Sequence, residues 1–214
     1  MMKTVVFDMD GVIFDTERRM KIFWQKEADR LGLDNIEEFY NECIGSTEQY
    51  CEQSYMDRYP NAPSFHEFLT RTFDMFTAMN EREGMPLKPG IRELLTFLKE
   101  QGYRVGLASS TRIALIQKEL EMEQLDTYFD VIVGGDQLQH SKPAPDIYLM
   151  ACEQLGVDPA SAYAIEDSYN GIRSAAAAGM KAIMVPDLLP PVPEIQELCT
   201  AVLDDLYAVQ AYLS

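Results

Sequence analysis

Imidazole is scarce in this chain: His66 and His140 are the only two histidines among 214 residues. The four cysteines, Cys43, Cys51, Cys152 and Cys199, include no C-x-x-C pair. A zinc centre of clustered His and Cys ligands is therefore not expected, and the thiols read as reduced and mostly packed. Basic residues are also few, 18 against 35 acidic ones, for a formal net charge of −17. Such a chain repels a polyanionic backbone, which argues against a nucleic-acid partner. The N-terminus, Met1-Met2-Lys3-Thr4, reaches Asp8 after one apolar run too short for a signal peptide or a membrane span. The expectation is a cytoplasmic protein without membrane contact, a monomer or a weak dimer. The 12 glycines and 11 prolines are spread rather than clustered and 47% of residues are hydrophobic, so the chain should be folded rather than disordered.

Strands are missing from a long stretch near the start. Thr4-Val5-Val6-Phe7 reads as a buried strand running into the turn Asp8-Met9-Asp10-Gly11, but from about Asp15 to Leu87 the pattern is helical. Phe65, Phe68, Leu69, Phe73 and Phe76 recur at spacings of three and four and predict a helix with an aromatic core stripe. Gly32, Gly45, Pro60 and Pro63 divide the stretch into about four helices. The connector Gly84-Met85-Pro86-Leu87-Lys88-Pro89-Gly90 ends it, and helices and strands then alternate. The strands expected there are Arg104–Ala108, Val131–Val133, Tyr163–Ile165 and Lys181–Met184, with a short last one near Ala201. This alternation implies an α/β fold: a Rossmann-like three-layer core with a parallel sheet over 1–14 and 88–214, and an inserted all-helical cap domain over 15–87.

Ligands in such a core bind beyond the carboxyl ends of the strands. Three strands end there in polar groups: Asp8-x-Asp10-Gly11, Ser109-Ser110-Thr111 and Glu166-Asp167-Ser168. Lys142 sits in Ser141-Lys142-Pro143-Ala144-Pro145-Asp146. Taken singly, Asp8 and Asp10 can be turn formers, Ser109, Ser110, Asp167 or Ser168 helix N-caps, and Lys142 a solvated lysine. Their joint placement at strand ends is what points to a site.

The four motifs, in this order and around an insert of this size, resemble the haloacid dehalogenase superfamily, in its branch with a helical cap after the first strand. The resemblance implies a Mg²⁺-dependent phosphatase acting on a small phosphorylated metabolite, a sugar phosphate or similar. It implies Asp8 as nucleophile, forming an aspartyl-phosphate, and Asp10 as acid/base. Mg²⁺ would be held by the Asp8 carboxylate, the Asp10 backbone carbonyl and Asp167, with Glu166 bound directly or through water. Lys142 would neutralise Asp8 and the transferring group, while Ser109 and the N–H groups around Ser110 bind phosphoryl oxygens.

Two other readings compete. A phospho-aspartate signalling switch shares the aspartate, acidic pair, hydroxyl and lysine, but it is compact and carries no such insert. A sugar-phosphate mutase of the β-phosphoglucomutase type shares the whole layout. In the loop Ile44-Gly45-Ser46-Thr47-Glu48, however, Glu48 stands where the mutase has an arginine, and Met20 stands where it has a histidine. Arg18 and Arg19, early in the first helix of the insert, are candidates for a second anionic group on a substrate, or part of a solvated face.

Overall fold

The structure, a computed structural model, describes residues 3–44 and 48–214. The chain divides into two compact units, Met1–Asp15 with Leu87–Ser214, and Thr16–Pro86.

The first unit is built on six parallel strands: β1 (Thr4–Phe7), β2 (Arg104–Ser109), β3 (Val131–Gly134), β4 (Ala162–Glu166), β5 (Lys181–Met184) and β6 (Ala201–Val202), in the order β3-β2-β1-β4-β5-β6. Every residue of β1 is buried, as befits a central strand covered on both faces. Register fixes which residues face which way. Val6 pairs with Gly106 and Ala164, and its row of Ala108, Val133, Ala182 and Met184 packs against α7 (Asp146–Leu155) and α8 (Tyr169–Ala177). The alternate residues are turned the opposite way, where α5 (Ile91–Glu100) packs on β2 and on α10 (Leu206–Leu213), and α6 (Ile113–Met122) packs on β3. In α5 the buried Ile91, Leu94, Leu95 and Leu98 follow helical spacing. A β-carbon on Gly106 would lie 3.0 Å from Leu155, so the bare backbone there lets α7 approach the sheet closely.

Because the chain moves outward from β1 to β2 and β3 and then returns to β4 on the other side of β1, the order reverses at β1. That switch point is where a crevice opens beyond the strand ends. Asp8, Ser109 and Glu166 end or follow the three adjacent strands β1, β2 and β4.

The second unit contains α1 (Thr16–Leu31), α2 (Ile36–Cys43), α3 (Glu48–Arg58) and α4 (Phe65–Glu83). Trp24 of α1 is its hub, with ring centroids 4.8 Å from Tyr40, 5.2 Å from Phe68 and 5.9 Å from Phe65. Helix α4 starts on a reciprocal capping box between Ser64 and Glu67. Its buried stripe differs from the one expected: Phe65, Phe68, Thr72, Phe76 and Asn80 face inward, whereas Phe73 is half exposed and stacks on Phe76. The buried row steps by three from Phe65 to Phe68 and then by four, which turns Leu69 and Phe73 off the inward face, and polar Thr72 and Asn80 hide that row from a reading by hydrophobicity. Gly45 and the side chain of Glu48, on which part of the mutase argument turned, lie outside the described residues.

Candidate active site

The turn after β1 is tight and held by backbone hydrogen bonds. Asp8 N–H still donates to Ile165 O at 2.9 Å, Ile13 N–H returns to Met9 O at 2.8 Å, and Gly11 N–H reaches Phe14 O at 2.8 Å. Gly11 adopts φ +81°, which glycine takes without strain. A β-carbon on it would also lie 2.2 Å from Asp167 Oδ2, so its absence lets a carboxylate from the β4 end lean against the β1 turn.

Lys142 joins the strand ends. Its Nζ donates to Asp8 Oδ1 at 2.5 Å, Glu166 Oε1 at 2.6 Å and the Ala108 carbonyl at 3.1 Å, thereby touching the ends of β1, β4 and β2. Glu166 is wholly buried and accepts three further bonds, from the Tyr148 hydroxyl at 2.7 Å and from Ser168 Oγ and N–H at 3.1 and 3.4 Å. Ser168 is also the N-cap of α8, accepting from Gly171 N–H at 3.0 Å, so the cap and the site use one hydroxyl.

Asp8, Glu166 and Asp167 each bring a carboxylate oxygen within 4.8 Å of the others. Burial, followed by the charge of Glu166, pushes Asp8 up to about 7 against the opposing pull of Lys142. Burial also raises Asp167 well above the carboxylate range, with Glu166, Asp8 and Asp187 adding to it. Burial alone would lower Lys142, but Asp8 and Glu166 outweigh it and hold the ammonium charged. Three crowded carboxylates facing one amine suit a hard, oxygen-ligated divalent cation, which would relieve that repulsion.

Asp10 is turned towards β2, where Thr111 Oγ1 donates to its Oδ2 at 3.2 Å. Ser109 is buried, and its Oγ accepts from Thr111 N–H at 3.1 Å. Ser110 is exposed, with its carbonyl so close to Gly135 that a β-carbon there would lie 2.2 Å away. Arg19 is committed inside the helical unit, donating to Asn80 Oδ1 at 2.5 Å and Gly84 O at 2.6 Å. Of the two readings offered for it, the solvated face does not hold for this nitrogen: Nη1 ties the start of α1 to the end of α4.

Sequence reasoning placed Thr111 at a strand end without giving it a role, and missed Tyr148, Gly171 and Glu119. Tyr148 falls on the buried stripe of α7 with Ile147, Ala151, Cys152 and Leu155, so periodicity marks it as core and is blind to its hydroxyl. Gly171 is required because a β-carbon there would lie 1.9 Å from the Glu166 carboxylate. Glu119 of α6 is buried and pushed up to about 7, by burial first and the charge of Asp10 second.

Residues 5–185 match a family model described as haloacid dehalogenase-like hydrolase. Hexitol phosphatase B of Escherichia coli (strain K12) is 36% identical over 187 residues, covering 85% of this chain and 82% of its own. The phosphorylated carbohydrates phosphatase of Thermotoga maritima is 33% identical over 182 residues, covering 85% and 84%. Among solved structures, one from Thermotoga maritima, assigned provisionally as a beta-phosphoglucomutase, superposes with a TM-score of 0.82 at 29% identity, over 100% of this chain and 99% of that one.

Proposed function

Because the chain belongs to the haloacid dehalogenase-like hydrolase family, we propose that it is a phosphatase hydrolysing a small phosphorylated carbohydrate or similar metabolite through an aspartyl-phosphate on Asp8. The observation that carries this reading is Lys142 bridging Asp8 and Glu166 across adjacent strand ends, with Asp167 completing the carboxylate group.

A carboxylate attacking a phosphate dianion meets like-charge repulsion, which Lys142 offsets at Asp8. The Asp8 carboxylate, the Asp10 backbone carbonyl and Asp167 would hold Mg²⁺, which would supply the remaining neutralisation. Ser109 Oγ and the N–H groups around Ser110 hold the phosphoryl oxygens. Asp8 forms the new O–P bond as the ester O–P bond breaks, and Asp10 gives its proton to the leaving oxygen. Water then attacks the aspartyl-phosphate, Asp10 takes the proton back, and inorganic phosphate leaves with Asp8 restored. Thr111 holds the Asp10 carboxylate at the side of the site until a leaving oxygen offers a better partner.

The likeness to a solved structure assigned to the mutase class favours a second reading, sugar-phosphate isomerisation. A mutase needs a cation for the phosphate that is not reacting. In Arg19 one guanidinium nitrogen is already shared between Asn80 and Gly84, which speaks against this residue as that cation. Among the described residues no helix is long and apolar enough to cross a membrane.

Phosphate release measured with Mg²⁺ over hexitol phosphates, sugar phosphates, nucleotides and small phosphorylated acids tests the proposal. Turnover of one of the first two classes, lost in EDTA, is expected. No release from any of them, or undiminished release in EDTA, would refute it. Sustained conversion of β-glucose-1-phosphate to glucose-6-phosphate with a bisphosphate primer would select the mutase instead.

A further inference from the structure

We infer that Tyr148 is a positioning residue that keeps Glu166 as the anchor of Lys142 and off the metal cation; this rests on the hydrolytic reading above. A carboxylate offers about four lone-pair sites. In Glu166 all of them are met by protein donors: Lys142 Nζ and the Tyr148 hydroxyl at Oε1, Ser168 Oγ and N–H at Oε2. The carboxylate also lies against the first turn of α8, in space that exists only because position 171 is glycine. There the positive end of the helix favours its charge. A bond from Glu166 to the cation would have to displace one of these donors from a wholly buried carboxylate.

Tyr148 holds both ends of the pair. Its hydroxyl is fully buried and donates to Glu166 at 2.7 Å, while the Lys142 ammonium stands 5.1 Å from the centre of its ring. The hydroxyl fixes where Oε1 points, and the ring face gives the ammonium a second attraction. Lys142 is thereby kept centred between Asp8 and Glu166 rather than drawn wholly to one of them. The metal is left to Asp8, the Asp10 carbonyl and Asp167.

The test compares Tyr148→Phe, which keeps the ring, with Tyr148→Leu, which removes it. Turnover of p-nitrophenyl phosphate with Mg²⁺ is measured beside Mn²⁺ binding by calorimetry on protein stripped of metal. For Tyr148→Phe, kcat should fall by about tenfold to a hundredfold, the span for one hydrogen bond to a charged group. KM should stay within about twofold and Mn²⁺ should bind no more weakly, since the proposed ligands are untouched and a released Glu166 can only add one. Tyr148→Leu should lose more kcat than Tyr148→Phe. A merely structural role would instead lower the melting temperature and the active fraction without this split. Wild-type kcat in Tyr148→Phe would overturn the inference, as would Mn²⁺ affinity that falls in step with kcat, because that places Glu166 on the cation. If the wild type releases no phosphate, the hydrolytic reading fails by itself. The calorimetry then decides the remainder: undiminished Mn²⁺ affinity in Tyr148→Phe upholds the placement of Glu166, and a loss of about tenfold or more rejects it.

Discussion

Replacing Glu119 by Gln should stabilise the protein, and by an amount that grows with pH. Glu119 lies on α6 beside the buried Ile116 and Leu120, with 8% of its surface exposed. Among the described residues no hydrogen bond reaches its carboxylate, and the charge of Lys118 only partly offsets burial and the repulsion of Asp10. Its folded pKa is raised from 4.5 to about 7. Between those two values the folded protein keeps a proton that the unfolded chain releases, so stability falls as pH rises through the window and the penalty is complete above about 7. Each pKa unit corresponds to about 1.4 kcal/mol, so a carboxylate at 119 costs about 3 kcal/mol near pH 8. Near pH 5 the cost shrinks to about 1 kcal/mol, and below the unfolded value it vanishes. Glutamine has nearly the same shape and no charge. For a chain of this length the melting temperature of Glu119→Gln should rise by about 6–12 °C near pH 8 and by only about 2–4 °C near pH 5. Calorimetric scans of both proteins at the two pH values, in the same salt, measure this directly. An equal gain at both pH values, or none near pH 8, would show that the Glu119 carboxylate is solvated or paired in solution.

Asp8→Asn should abolish covalent phosphorylation, whereas Asp10→Asn should slow turnover by ~10²–10⁴, the usual loss for acid/base catalysis; phosphate trapped on any residue other than Asp8 rejects the nucleophile assignment. Gly171→Ala puts a β-carbon where the Glu166 carboxylate lies and should cost about 1–3 kcal/mol in urea unfolding while also depressing kcat; unchanged stability and turnover would mean the carboxylate is not confined there. Arg19→Met strands the buried Asn80 side chain and should destabilise the helical unit by about 1–3 kcal/mol, read from urea unfolding; an unchanged midpoint would show that the two bonds contribute nothing.

The amino-acid sequence by itself determined the order of elements and the ends on which chemistry could be placed. Apolar four- to six-residue runs separated by helical periods can bury both faces of each strand only in a parallel, helix-covered sheet, so β1, β2, β4 and β5 were legible from their pattern. Asp8, Ser109, Lys142 and Glu166 stood out only jointly, because each alone can be a turn former, a helix cap or a solvated lysine, whereas polar groups gathered at successive strand ends point to one crevice. What the pattern could not contain was contact between residues far apart in sequence. Lys142 lies 134 residues from Asp8 and 24 from Glu166, and only the strand order, with β1 between β2 and β4, brings the three together. Tyr148 and Glu119 were hidden because a helical stripe records burial and says nothing of what a hydroxyl or carboxyl meets inside. Gly171 was hidden because its reason is an absent β-carbon against a side chain from another element. Arg19 shows the converse: its charge invited a role in binding, and the packing of α1 on α4 used that charge internally, since the buried amide of Asn80 and the carbonyl of Gly84 needed a donor. Local sequence sets which groups are available, because propensity and periodicity act over a few residues; tertiary structure decides which of them meet, because desolvation and hydrogen bonding depend on neighbours that the chain order does not name.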